Sequence, residues 1–116
     1  MALNKISIIT PSYNQADYLE ECIDSVLSQN YPNLEFIIID GGSTDNSAAI
    51  IRKYEKHLNF WVSEQDNGQS DAINKGFAKA TGNIITWLNS DDLFTEGTLA
   101  KVDSYFTDNQ ANMLFY

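Results

Sequence analysis

Apolar positions along this 116-residue chain alternate between two periods. Ile6, Ile8 and Ile9 form a β-branched run that Thr10-Pro11 ends, which predicts a short strand. Leu19, Cys22, Ile23, Val26 and Leu27 follow at the i, i+3, i+4, i+7, i+8 spacing of an amphipathic helix, broken at Pro32-Asn33. Leu34 to Ile39 is almost continuously apolar, as strands covered on both faces are. A loop, Gly41-Gly42-Ser43-Thr44-Asp45, leads into a short helix over Ala48 to Tyr54. Asn59 to Ser63 predicts a third strand. A helix from Gln69 or Ser70 turns Ala72, Ile73, Gly76, Phe77 and Ala80 inward, and Gly82 is placed to end it in the left-handed conformation. Ile84 to Leu88 predicts a fourth strand. Thr95 is a candidate cap for a helix carrying Leu99, Val102 and Phe106, and Met113 to Tyr116 reads as a fifth strand. The order β-α-β-α-β-α-β-α-β predicts an α/β fold of three layers, with a mostly parallel sheet and helices on both faces. The chain closes within a strand pattern, so the expectation is an N-terminal part, residues 1–116, of a longer domain; a small complete domain with an edge strand is the alternative.

Composition narrows the picture. Sixteen acidic residues against seven basic ones give a net charge of −9. Nucleic-acid surfaces need clustered Lys and Arg, so no nucleic-acid partner is expected. A 43% apolar content supplies a core. The single cysteine rules out an internal disulfide and a cysteine zinc cluster. No apolar run is long enough to span a membrane, and no signal-peptide pattern precedes the first strand, so a cytoplasmic location is expected. Cys22 on its apolar helix face, Trp61 and Trp87 read as core; His57 reads as surface.

The polar residues collect where the strands end. Ligands of open parallel sheets bind outside the carboxyl ends of the strands. Those ends carry Thr10, Pro11, Ser12, Tyr13 and Asn14; Asp40 and Gly41; Glu64 and Asp66; and Asn89, Ser90, Asp91 and Asp92. Turn and cap chemistry accounts for Ser43, Thr44 and Asp45. It accounts less well for Asp91-Asp92, because adjacent carboxylates repel unless a cation neutralises them. No Lys or Arg occurs in these segments, and neither a Gly-x-x-x-x-Gly-Lys-[Ser/Thr] nor a Gly-x-Gly-x-x-Gly motif is present. A phosphorylated ligand would therefore need Mg²⁺ or Mn²⁺ to bridge it to the carboxylates.

Thr10-Pro11-Ser12-Tyr13-Asn14, Asp40-Gly41-Gly42-Ser43-Thr44-Asp45, the segment Asp66 to Gly76, Ala80-Thr81-Gly82 and Leu88-Asn89-Ser90-Asp91-Asp92 occur in this order. Together they resemble the nucleotide-sugar-binding half of family 2 glycosyltransferases of the GT-A fold. The resemblance implies that Thr10, Pro11 and Tyr13, with Ser12 and Asn14 beside them, line a base and ribose pocket. It implies that Asp40 accepts a hydrogen bond from the imide N–H of uracil, with Gly41 next to it, and that Asp71 lies near the base or sugar. Asn89-Ser90-Asp91 takes the place of the Asp-x-Asp motif, with Asp91, and Asp92 beside it, ligating the metal. Asn89 departs from the motif by lacking a charge. The implied reaction transfers a sugar, with inversion, from a UDP-sugar or similar donor to a saccharide or lipid-linked acceptor in polysaccharide or glycoconjugate synthesis. The base is implied to lie beyond Tyr116, so no catalytic residue is assigned and this piece is expected to bind donor without transferring sugar. A non-catalytic nucleotide-binding module is the alternative. Further expectations are a peripheral position at the inner membrane face for the longer protein, and self-association of the piece through an open sheet edge near Leu114 and Phe115.

Overall fold

The computed structural model describes residues 3–109 and 114–115. Five strands, β1 (Ile6–Ser12), β2 (Leu34–Asp40), β3 (Phe60–Ser63), β4 (Ile84–Trp87) and β5 (Leu114–Phe115), form one sheet in the order β3-β2-β1-β4-β5. Every pairing is parallel. The helices are α1 (Ala16–Leu27), α2 (Ser47–Lys53), α3 (Gln69–Lys79) and α4 (Thr98–Asn109), with a 3₁₀ turn at Glu55–His57.

The sheet separates two apolar layers. On one face Ile6, Ile8, Phe36, Ile38 and Ile84 meet Leu19, Cys22, Ile23 and Val26 of α1, Ile51 of α2, and Leu99 and Phe106 of α4. On the other, Ile9, Ile37 and Ile39 meet Ala72 and Phe77 of α3. The period-2 alternation of β1 and β2 thus feeds two cores, which is why both strands are buried almost throughout on either side. Gly76 brings α3 down onto the sheet: a Cβ there would lie 2.4 Å from Ile9 Cγ2.

The strand order reverses at β1. The β1–β4 pairing ends at Ile9↔Trp87, whereas β1–β2 continues to Ser12↔Asp40. Leu88 donates its N–H to the Ile9 carbonyl, so the odd-numbered β1 residues turn their backbone toward β4. Pro11 shares that direction at a level where β4 has left the sheet, and its missing N–H forfeits no ladder bond there. A crevice opens at this point.

Four local expectations are corrected. Gly82 is not in the left-handed region; α3 ends at an extended Ala80, and Gly82 serves close approach, since a Cβ would meet Ser7 Oγ at 2.6 Å and Lys5 O at 2.7 Å. Thr95 does not cap α4 directly: Gly97, at φ +78°, intervenes, and the Thr95 carbonyl accepts from Thr98 Oγ1 at 2.7 Å. The α2 helix begins one residue early, at Ser47. Trp61 and Trp87 are half-buried rather than core: Arg52 lies over the Trp61 ring, and Phe77 packs against Trp87 at 6.2 Å between centroids. The predicted ends of the fifth strand, Met113 and Tyr116, lie outside the described residues. His57 is exposed and Cys22 buried, as expected.

Candidate functional site

The crevice at the carboxyl ends of β1, β2 and β4 is a cleft of about 570 Å³. Pro11, Ser12, Tyr13 and Gln15 come from β1 and the turn after it, Gly41 and Gly42 from the end of β2, and Gln65 and Asp66 from the end of β3. Gly68, Gln69 and Ala72 come from the start of α3, and Asn89, Ser90 and Asp91 from the end of β4. Its walls carry two carboxylates, Asp66 and Asp91, and no Lys or Arg.

Of the residues singled out from sequence, Pro11, Ser12, Tyr13, Gly41, Asn89, Ser90 and Asp91 are brought together here. Tyr13 lines the cleft and is 57% exposed. Asn89 accepts a hydrogen bond from Gln69 Nε2, which spans from α3 to β4. Ser12 is buried, and its hydroxyl has no hydrogen-bond partner among the described residues.

Five others stand behind or beside the walls. Thr10 is fully buried and meets Cys22. Burial pushes the Cys22 thiol up to about 12, the nearby Asp92 and Asp91 charges add to this, and Thr10 opposes it. Asp71 accepts the Asn67 N–H at 3.0 Å and lies 3.8 Å from Lys75, closing the turn into α3. Asp92 is exposed and donates its N–H to the Asn89 carbonyl. Asn14, at φ +51°, ties two loops together: its Oδ1 accepts the Thr44 N–H at 2.8 Å. Asp40 has no exposed surface. Its Oδ2 accepts from the Ser43 N–H at 2.8 Å and Ser63 Oγ at 2.8 Å, and its Oδ1 accepts from Ser43 Oγ at 2.6 Å. So enclosed, Asp40 stands behind the cleft wall and does not line it.

Asp66, which the sequence places at a strand end and at the head of its motif but gives no role, lines the cleft. An ideal Cβ on Gly41 would lie 2.9–3.1 Å from the Asp66 carboxyl atoms. The glycine therefore makes the room that the carboxylate fills. Asp66 Oδ1 accepts the Gly68 N–H at 3.0 Å, and its Oδ2 has no hydrogen bond from the described residues. Gln15 and Gln65 carry neither charge nor period, so nothing in the sequence marks them; Gln69 falls within the segment Asp66 to Gly76 that carries the resemblance.

The family model described as glycosyl transferase family 2 matches residues 7–116. The putative teichuronic acid biosynthesis glycosyltransferase TuaG of Bacillus subtilis is 39% identical over 83% of this chain and 39% of its own length. The crystal structure of S. aureus TarS 1-349 in complex with UDP-GlcNAc is similar at TM-score 0.83 and 27% identity, over 91% of this chain and 32% of that one. The mannosyltransferase PcManGT of Pyrobaculum calidifontis, in complex with GDP-Man and Mn²⁺, is similar at TM-score 0.83 and 29% identity, over 93% and 34%. The chain spans less than half the length of these relatives.

Proposed function

This chain belongs to glycosyl transferase family 2, and from that premise we propose that its cleft holds the nucleotide-sugar donor of an inverting transferase. The donor is a UDP-sugar, and the acceptor is a saccharide or lipid-linked hydroxyl in cell-envelope polysaccharide synthesis. UDP-GlcNAc bound to TarS, and the teichuronic acid role in the name of TuaG, support these classes. The observation that carries the reading is the cleft itself: open, polar, without a cation, and at the switch point of a parallel sheet.

Each wall has a task. The open Tyr13 ring and Pro11 offer an apolar surface for the base. The free Oδ2 of Asp66 accepts the base N–H, in place of the enclosed Asp40. Asn89 and Ser90 offer hydrogen bonds to the ribose. Asp91, exposed at the opposite wall, faces the diphosphate.

A bare carboxylate beside a diphosphate fits a divalent ion, Mn²⁺ or Mg²⁺. Among the described residues no group of three or more His, Cys, Asp or Glu could hold an ion unaided. Such ions commonly take one or two carboxylates and complete their shell with phosphate oxygens and water. Asp91, with Asp92 next to it, would hold the ion together with the donor. When bound, it would neutralise charge on the departing diphosphate. A carboxylate base from residues outside this cleft would take the acceptor proton.

Titration calorimetry of the full-length protein with UDP tests this, with Mn²⁺ present and after EDTA. Binding that EDTA abolishes supports the reading. Equal affinity in both would overturn the assignment of Asp91 and Asp92, and no binding in either would overturn the donor site.

A further inference from the structure

We infer that Ser43, held by the buried Asp40, is a positioning residue that sets the Tyr13 ring for the nucleotide base, an inference that rests on the donor-site reading above. Ser43 does not line the cleft; its side chain joins two groups. One is the Asp40 carboxylate, which anchors both the Ser43 N–H and its hydroxyl. The other is the backbone after Tyr13: Ser43 Oγ accepts the Asn14 N–H at 2.8 Å.

The direction of these bonds matters. The Ser43 hydroxyl gives its only proton to Asp40 Oδ1, so its lone pairs are left to face Asn14. The Asp40 carboxylate oxygen therefore dictates the orientation of the hydroxyl, and the hydroxyl dictates where the Asn14 N–H points. Asn14 adopts φ +51°, a conformation that few non-glycine residues hold without support. Its support is this bond on one side and the bond from the Thr44 N–H to its own Oδ1 on the other. Tyr13 itself is 57% exposed and has no hydrogen bond from the described residues to orient its ring. Its direction is fixed by the backbone on either side of it: Ser12 in the sheet, and Asn14 in this relay. The enclosed Asp40 side chain, which has no salt bridge among the described residues, is thereby given a use.

The test uses the full-length protein and five variants: Ser43→Ala, Ser43→Thr, Asp40→Asn, the double variant Asp40→Asn with Ser43→Ala, and Tyr13→Ala. UDP affinity is read by calorimetry, and KM and kcat are read separately. The ring is followed by the ¹⁹F signal of a fluorotyrosine at position 13, without ligand. Ser43→Ala is expected to weaken UDP binding about tenfold, the scale of one lost charge-linked hydrogen bond, and to raise the donor KM with kcat unchanged. Ser43→Thr, which keeps the hydroxyl, restores the affinity. The double variant is no worse than Asp40→Asn alone, because both substitutions break one relay. The ¹⁹F line shifts in Ser43→Ala and in Asp40→Asn. Full UDP affinity in a folded Ser43→Ala protein, or an unmoved ¹⁹F line, overturns the inference while leaving the donor site standing. Additive losses in the double variant overturn it in favour of separate roles. If UDP does not bind the unsubstituted protein, or Tyr13→Ala binds it as well as the unsubstituted protein does, the donor-site reading fails first and the inference with it.

Discussion

The two ends of β2 each bury a carboxylate, and they are used in opposite ways. At the amino end, Glu35 is 7% exposed and its oxygens are saturated. Oε1 accepts from Ser7 Oγ at 2.7 Å and the Thr81 N–H at 2.8 Å; Oε2 accepts from Thr81 Oγ1 at 2.9 Å and lies 3.4 Å from Lys5 Nζ. Ser7 Oγ in turn accepts the Gly82 N–H, at 2.9 Å. This network stitches the α3–β4 connection to β1 and β2, and a partner cation closes it. At the carboxyl end, Asp40 is equally enclosed, but its hydrogen bonds lead outward, through Ser43, to Asn14 beside a cleft whose own carboxylates meet no Lys or Arg among the described residues. Electrostatic satisfaction at one edge serves stability. Incomplete satisfaction at the other leaves charge available to a ligand.

The largest effect expected from this contrast is on the open edge. Asp91→Ala should lower donor kcat/KM by at least about 100-fold, or about 2.7 kcal/mol, while thermal stability holds or rises. Steady-state kinetics beside a melting curve checks both halves, and a fall in stability would make Asp91 structural. On the closed edge, Glu35→Ala should cost about 2 to 3 kcal/mol of unfolding free energy, because Ser7, Thr81 and Lys5 lose their shared acceptor. Urea unfolding measures it. UDP affinity of the folded fraction should be unchanged, and a parallel loss of affinity would join the two edges.

Between the edges, Gly76→Ala would drive a methyl to 2.4 Å from Ile9 and tilt α3 off the sheet. The expected cost is about 1 to 2 kcal/mol of stability, offset in part by the helix propensity of alanine, with a modest rise in donor KM because α3 carries Gln69. The smallest effect is on pH. Burial pushes the Glu35 carboxyl up, but hydrogen bonds from Thr81 and Ser7 and the Lys5 charge outweigh it, so the folded value lies below the ordinary glutamate range. Its contribution is present above about pH 4.5 and is lost as pH falls through the lowered folded value. Glu35→Gln should therefore flatten the acid limb of a stability profile between pH 5 and 3, as followed by urea midpoints. An unchanged limb would assign acid sensitivity elsewhere, to Asp45 for instance, whose carboxyl is held below its ordinary range chiefly by Ser47.

The fold was largely written in the chain. Nearly continuous apolar runs at 6–9 and 34–39, interrupted only by Ser7 and Glu35 and set between helical periods, pointed to a sheet covered on both faces, and alternation of the two pointed to parallel strands. The strand-end acids pointed to the edge where the cleft lies, since only one edge can carry the loops that follow strands. Which acid faces the cleft was not legible. Asp40 and Asp66 are both acids near strand ends, and both would accept a base N–H. Their difference lies in what surrounds them: Ser43 and Ser63 close over Asp40, and Gly41 makes space for Asp66. Gly82 shows the same limit. Its need for a missing side chain was readable, but the reason is contact with Ser7 and Lys5 across the sheet rather than a local turn. Period and turn chemistry act between near neighbours in the chain, so the sequence determined the elements, their parallel order and the edge where the polar residues gather. Burial and hydrogen-bond partnership act between residues distant in the chain, so only the tertiary structure decided which carboxylate is enclosed and which is left open.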